Sequence, residues 1–230
     1  MKLIDVLNNF DIKPHKIEYY EEAFTHSSYA NEVKNGVVDY ERIEFIGDGV
    51  LDLIVADLIF NLYPNMPQGL MTKLRAQVVC STTLASYSKK LGFGEIIKLG
   101  KGQIKEGANQ KILEDVFESF IGATYLDQGY DFVKELITKI VIDDIKHFDI
   151  DLLTDYKSKL QELLQANYRG NIKYEVINET GPAQDKTFYV EVYMVMLDKS
   201  VLKLGKGSGK NMKLAEEDAA RDALTKKAGI

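Results

Sequence analysis

Glu41-Arg42-Ile43-Glu44-Phe45-Ile46-Gly47-Asp48-Gly49-Val50-Leu51 runs directly into a longer apolar stretch that continues to Phe60. Val50, Leu51, Ile54, Val55, Leu58 and Ile59 recur at three- and four-residue spacing, which predicts a helix with one face in a core. Glu41, Glu44 and Asp48 fall at i, i+3 and i+7, so they stack on one side of that helix. Ile112-Leu113-Glu114-Asp115-Val116-Phe117-Glu118-Ser119-Phe120-Ile121-Gly122 repeats the device, with Asp115 and Glu118 at i and i+3 inside a second apolar run. Like charges at these spacings repel, and burying carboxylates is costly unless something compensates. A hard divalent cation compensates, because Mg²⁺ takes oxygen ligands and keeps several of its waters. If the two helices cross, Glu44, Asp48, Asp115 and Glu118 converge on an ion; if they do not, both sets are acidic edges facing water. Asp52 and Asp57 read as surface or structural residues, and Glu114 as solvated.

Outward from these segments the helical period dominates from Leu3 to about Phe148. Phe117, Phe120, Ile121, Tyr125 and Leu126 share one helical face; Val133, Leu136, Ile137, Ile140 and Val141 share another. Glycine punctuation lies at 91–94 and 100–102. This part is expected to be an all-α bundle. Beyond Asp149-Ile150-Asp151 the texture changes. Tyr156 to Tyr168 reads as a helix with Leu160, Leu163 and Leu164 inward. Strict alternation then places Ile172, Tyr174 and Val176 on one face of a strand, and Phe188, Val190, Val192 and Met194 on a face of a second. Val201-Leu202-Lys203-Leu204 suits a third strand, and Ala215, Ala219, Ala220, Ala223 and Leu224 line one side of a last helix. A sheet of this kind must bury a face, and two helices can cover it. The expected division is a domain at 1–148, with its motif-bearing core at about 5–129, a polar linker at 149–153, and an α-β-β-β-α domain at 154–228.

With 230 residues the chain holds one large domain or two modest ones. Its 45% hydrophobic and 28% charged residues are ordinary for a globular protein, and 17 glycines and 4 prolines are too few for a fibrous or low-complexity chain. A single cysteine, Cys80, excludes an intrachain disulfide framework and a cysteine-rich zinc site; it reads as a small buried hydrophobe. His15, His26 and His147 are far apart in sequence. The start has no secretory profile, since Asp5 arrives before any apolar core. The most apolar stretch, Val50 to Phe60, contains two aspartates and is too short to span a bilayer. A soluble protein of a reducing compartment, most simply the cytoplasm, is expected, with no membrane partner.

A net charge of −6 argues by itself against a nucleic-acid partner, but the charge is uneven. Residues 1–153 carry 16 basic and 24 acidic side chains, whereas residues 154–230 carry 13 and 11. Within 199–215 stand Lys199, Lys203, Lys206, Lys210 and Lys213 and no acid. Charge alone favours a solvated face over an anion-binding one, yet the asymmetry points to the second half as the one suited to an anionic partner.

The 41–51 stretch resembles the signature of the ribonuclease III family, E-R-L-E-F-L-G-D-S/A-V-L, with Gly49 where Ser or Ala is commoner. Phe24-Thr25-His26-Ser27-Ser28-Tyr29-Ala30-Asn31-Glu32 resembles the early T-H-x-S-Y segment, and Leu74-Arg75-Ala76-Gln77-Val78-Val79 the L-R-A-x-L-V helix. Leu99-Gly100-Lys101-Gly102 resembles the L-G-K-G turn, and Ile112 to Gly122 the second acidic motif. The C-terminal unit is similar to the family's double-stranded-RNA-binding domain. The resemblance covers nearly the whole chain and implies a multidomain fold: an all-α ribonuclease III catalytic domain followed by an α-β-β-β-α double-stranded-RNA-binding domain.

By the same resemblance the expected activity is Mg²⁺-dependent endonucleolytic hydrolysis of double-stranded RNA to 5′-phosphate and 3′-hydroxyl ends, with Mn²⁺ a plausible substitute and no small-molecule organic cofactor. It implies maturation of ribosomal RNA precursors and some messenger and transfer RNA precursors, by a homodimer whose two sites cut opposite strands. Glu44, Asp48, Asp115 and Glu118 would hold the metal, Asp48 and Glu118 carrying the catalytic role and Glu118 answering to a second cation if two act. Glu41 would support the site and Arg42 pair with a neighbouring acid. Lys157-Ser158-Lys159-Leu160-Gln161-Glu162 resembles the family's D-Y-K-S/T-x-L-Q-E segment, so Gln161 and Glu162 would meet minor-groove hydroxyls. Gly181-Pro182-Ala183-Gln184 resembles G-P-x-H with Gln184 in the histidine position. Gly207-Ser208-Gly209-Lys210-Asn211-Met212-Lys213-Leu214-Ala215-Glu216 resembles G-x-G-x-S-K-K-x-A-E, with Met212 replacing one lysine. There Asn211 suits an N-cap, and Lys206, Lys210 and Lys213 remain for phosphate. His26, beside Ser27 and Ser28 but without a base–orienter pair, reads as structural. Two other readings are weaker. A catalytically inactive duplex-RNA-binding structural protein would be expected to lose metal-site acids, and all four are present. A phosphohydrolase of small nucleotides leaves the second domain unexplained.

Overall fold

The computed structural model describes residues 1–33, 36–167, 170–182 and 184–227. The chain forms two compact units, Met1–Leu153 and Thr154–Ile230. The first is helical, with α1 (Leu3–Asn9), α2 (Ile17–Ala23), α3 (Ser27–Val33), α4 (Glu41–Leu62), α5 (Gln68–Val78), α6 (Ser81–Lys90), α7 (Lys101–Glu106), α8 (Gln110–Gln128) and α9 (Tyr130–Lys146). At its centre α4 packs against α8. Helix α4 buries Ile43, Gly47, Leu51, Ile54, Val55 and Ile59, the stripe expected from the spacing. Helix α8 is enclosed more completely: Ile112 and Leu113 are buried, and so is every residue from Asp115 to Thr124. Around α8, Phe93 meets Phe24 and Phe120 edge-on at ring-centroid distances of 5.1 and 5.0 Å.

The α4–α8 crossing depends on two glycines. A Cβ at Gly47 would stand 1.8 Å from the Glu118 carbonyl oxygen, and one at Gly122 2.3 Å from the Ile43 carbonyl oxygen. The helices therefore touch backbone to backbone at a point where any side chain would force them apart. Gly49, two residues on, faces open space. Asn109 caps α8, its Oδ1 accepting the Ile112 N–H at 3.0 Å.

Residues 149–153, expected as a linker, include a short turn attached to the first unit. Ile150–Leu153 forms a 3-10 turn of the first unit. Leu153 is buried in the helical core, and its carbonyl accepts a hydrogen bond from Lys73 Nζ at 2.9 Å. These two contacts tie the segment to the bundle, and the units divide between Leu153 and Thr154.

The second unit has α10 (Tyr156–Asn167), β1 (Gly170–Thr180), β2 (Thr187–Met196), β3 (Val201–Gly209) and α11 (Met212–Lys227). The sheet is antiparallel in the order β1-β2-β3. Val190, Val192 and Met194 pack with Leu160 and Leu164 of α10 and with Ala215, Ala219, Ala220 and Ala223 of α11. Strand β3 runs past Leu204 to Gly209 because Gly205, Gly207 and Gly209 alternate toward α11. A Cβ at Gly207 would lie 2.1 Å from the Ala219 nitrogen, so the alanine face of α11 rests directly on the strand. The outer edge of β3 is covered by α11 as well: the Lys206 and Ser208 N–H groups donate to Asp222 and Asp218 at 2.8 and 2.9 Å. Glu217 of α11 accepts the Tyr156 and Lys157 N–H groups at 2.8 and 3.2 Å, holding the start of α10. Tyr168, expected to end α10, lies outside the described residues, as do Ala183 and residue 228.

Candidate functional site

Glu44 of α4 and Asp115 and Glu118 of α8 each offer a carboxylate oxygen within 4.8 Å of the others. Asp115 and Glu118 are only 7% exposed. The Gly47–Gly122 contact lies one helical turn from these acids, which is why two negatively charged helix faces can be held this close. Tyr40, at the start of α4, donates its hydroxyl to Asp115 Oδ2 at 3.2 Å. Lys111 Nζ lies 2.6 Å from Asp115 Oδ1, 3.7 Å from Glu114 and 3.8 Å from Glu44. Lys111 thus pairs most closely with Asp115, through a buried carboxylate oxygen. Asp48 is exposed and stands outside the three-acid group, although its charge reaches Glu118. Glu41 is exposed. Glu114, expected to be solvated, is instead 16% exposed at its side chain and turned toward Lys111. The cation at i−3 draws it inward, which helical spacing among the acids alone does not reveal.

In the second unit Gln161 and Glu162 are exposed on α10 or at its margin, away from the buried Leu160 and Leu164. Gln184 is exposed in the turn between β1 and β2, and its neighbour Asp185 pairs with Lys210 at 2.6 Å. Asn211 caps α11, its Oδ1 accepting the Leu214 N–H at 2.9 Å, and Lys213 is exposed in the first turn. Lys206 departs from this group. With Gly205 and Gly207 facing α11, alternation turns Lys206 to the other side of the sheet, opposite Glu191 in the register. Glu191 is also the ion-pair partner of Lys203.

Residues 16–145 match the family described as ribonuclease-III-like, and residues 156–227 match the double-stranded RNA binding motif. The chain belongs to the ribonuclease III family. A Ribonuclease 3 of Streptococcus pneumoniae is 43% identical over 222 residues, covering 95% of this chain and 94% of that protein. The nuclease domain of ribonuclease III from Campylobacter jejuni covers 64% of this chain and 97% of its own at 26% identity, with a TM-score of 0.57. A second structure of that domain, described for structural flexibility in a region involved in dimer formation, covers 59% and 95% at 29% identity, with a TM-score of 0.54. This ribonuclease III thus joins a helical nuclease domain to a double-stranded-RNA-binding domain, the make-up of an endonuclease of duplex RNA. Among the described residues no helix is long and apolar enough to cross a membrane.

The electrostatics of the acidic group show a deficit of positive charge. Burial, followed by the charge of Asp115, pushes the Glu44 carboxyl up to about 7, against the opposing pull of Lys111. Burial, followed by the charges of Asp48, Glu114 and Glu44, pushes Glu118 up to about 8. An all-oxygen donor set drawn from two helices, with two carboxyls that resist ionisation, fits a hard divalent cation. The shifts have a consequence for the metal-free chain. Both folded-state values lie above the ordinary 4.5, so the folded chain holds protons that the unfolded chain releases. Stability from these groups is fully present below about pH 4.5 and is lost as pH rises toward about 8. Melting followed by circular dichroism in a chelator should show this decline, and Glu118→Gln should flatten it; an unchanged profile in the variant would refute the assignment.

Sequence reasoning passes over Tyr40, Lys111, Gly47 and Gly122. Each carries a signal in its spacing: Tyr40 lies four residues before Glu44, Lys111 four before Asp115, Gly47 three after Glu44 and Gly122 four after Glu118. His26 is tied locally, its Nδ1 2.7 Å from Ser28 Oγ, which accepts the Gly100 N–H at 2.9 Å. Cys80 is half-buried at the start of α6 rather than a core hydrophobe. Burial works to raise its thiol, but hydrogen bonds with Thr82 and Thr83 bring it below the ordinary value.

Proposed function

We propose that this ribonuclease III hydrolyses double-stranded RNA to 5′-phosphate and 3′-hydroxyl ends using Mg²⁺, with Mn²⁺ able to replace it. The observation that carries the reading is the convergence of Glu44, Asp115 and Glu118 from two helices on a common point. These three would hold the ion, with Asp48 as the fourth ligand from the exposed rim, and Asp48 and Glu118 as the catalytic pair. When bound, the ion supplies an activated water and screens the charge that grows on the phosphate. Tyr40 holds Asp115 in one orientation through its hydroxyl. Residues 154–227 would grip the duplex by shape, with Gln161 and Glu162 toward 2′-hydroxyls, Gln184 at a second contact, and Lys210, Lys213 and the Asn211-capped start of α11 toward phosphate. Lys206, on the other side of the sheet, is left as a peripheral electrostatic contributor.

One site cuts one strand, and a homodimer supplies two. Phe45, Leu53 and Phe60 lie 78%, 58% and 65% exposed along α4, and Leu53 and Phe60 help to line a hollow of about 500 Å³ with Met71 and Arg75. An apolar stripe of this kind is suited to cover by a second copy. The substrates we propose are ribosomal RNA precursors and some messenger and transfer RNA precursors, in the cytoplasm.

The purified chain, incubated with a long RNA duplex, should release 5′-phosphate and 3′-hydroxyl ends only when Mg²⁺ or Mn²⁺ is present. Equal cleavage in a chelator, or 3′-phosphate ends, would contradict the proposal. Lys210→Ala combined with Lys213→Ala should weaken duplex binding and lower the salt slope by up to about 2, since each phosphate contact contributes about 0.9. A filter-binding series over salt concentration reads this directly, and an unchanged slope would mean that RNA does not touch this surface.

A further inference from the structure

We infer that Lys111 is a resident counter-cation of the carboxylate group, one that a divalent ion must displace, so that this side chain sets the ion concentration at which the site loads. The inference rests on the reading of Glu44, Asp115 and Glu118 as metal ligands. The Lys111 ammonium lies within 3.8 Å of three acids and is closest to Asp115 Oδ1, at 2.6 Å. Helix α8 gains little from a lysine at this place. It lies in the first turn, where the helix end is already positive, and it precedes Asp115 by four residues, the poorer order for such a pair. The beneficiaries are the acids, whose mutual repulsion the ammonium offsets.

The geometry also lets the lysine leave. Its side chain is 64% exposed, whereas its partners are largely buried. A hydrated point charge on a four-carbon stem can withdraw to solvent, while the acids are fixed by the helix crossing. An incoming ion competes for the same Asp115 and Glu44 oxygens, and it binds against the loss of these ion pairs.

Calorimetric titration of the full chain with Mn²⁺, in the absence of RNA, tests this. Lys111→Gln should tighten Mn²⁺ binding about tenfold, because a unit positive charge a few ångströms from the ion is removed. Lys111→Arg should keep the wild-type affinity, since the charge is retained. Melting curves establish that each variant is folded, and Asp115→Asn serves as the site control. If Lys111→Gln binds Mn²⁺ no tighter than wild type while Asp115→Asn loses binding, the inference is overturned and the metal site stands. If wild type and Asp115→Asn bind alike, the metal-site reading itself fails and the inference with it.

Discussion

Glu118→Gln should reduce cleavage of duplex RNA in Mg²⁺ by about 10³-fold or more and leave duplex binding nearly intact. Removal of one preorganised electrostatic group from an active site commonly costs about 10²–10³ in rate, and here the lost group is also a ligand. The substitution keeps the size and hydrogen-bonding reach of the side chain and removes only its charge. The fold should tolerate it well, because burial and the neighbouring Asp48, Glu114 and Glu44 already hold Glu118 protonated to about pH 8 in the metal-free chain. Single-turnover cleavage and gel-shift binding, measured on the same preparation, separate the two effects. Full residual activity would remove Glu118 from the reaction.

Gly47→Ala should be as damaging by a different route. Its Cβ would fall 1.8 Å from the Glu118 carbonyl oxygen, an overlap that only a displacement of α4 from α8 relieves. Overpacking of this sort costs about 1–3 kcal/mol and sometimes more. The same displacement would pull Glu44 away from Asp115 and Glu118, so cleavage should fall together with the melting temperature. Gly49→Ala on the same helix is the matched control, since its Cβ meets nothing within 4 Å. That variant should melt at or above the wild-type temperature, alanine being the better helix former by up to about 1 kcal/mol. Gly47→Ala melting like wild type would refute the backbone contact between the helices.

The contrast between these two glycines shows what a linear sequence conveys. Spacing places Glu44 and Asp48 on one helix face and Asp115 and Glu118 on another, and that pattern needs only local periodicity. Whether the faces meet depends on Gly47 and Gly122, which in one dimension look like weak points of their helices and in three dimensions are the contact itself. Glu114 escapes periodicity for a related reason: its environment is set by Lys111, a neighbour outside the acidic pattern. In the second unit the alternating apolar residues of β2 are legible, whereas Gly205, Gly207 and Gly209 hide the end of β3, because their role is to admit the α11 backbone rather than to pack side chains. Lys206 belongs by sequence to the lysine cluster and by strand alternation to the opposite face.

The most direct test of the account is the position of a divalent ion. Anomalous scattering from crystals of the protein grown with Mn²⁺ should give a peak bounded by carboxylate oxygens of Glu44, Asp115 and Glu118. A peak elsewhere, with the three acids turned to solvent, would contradict it.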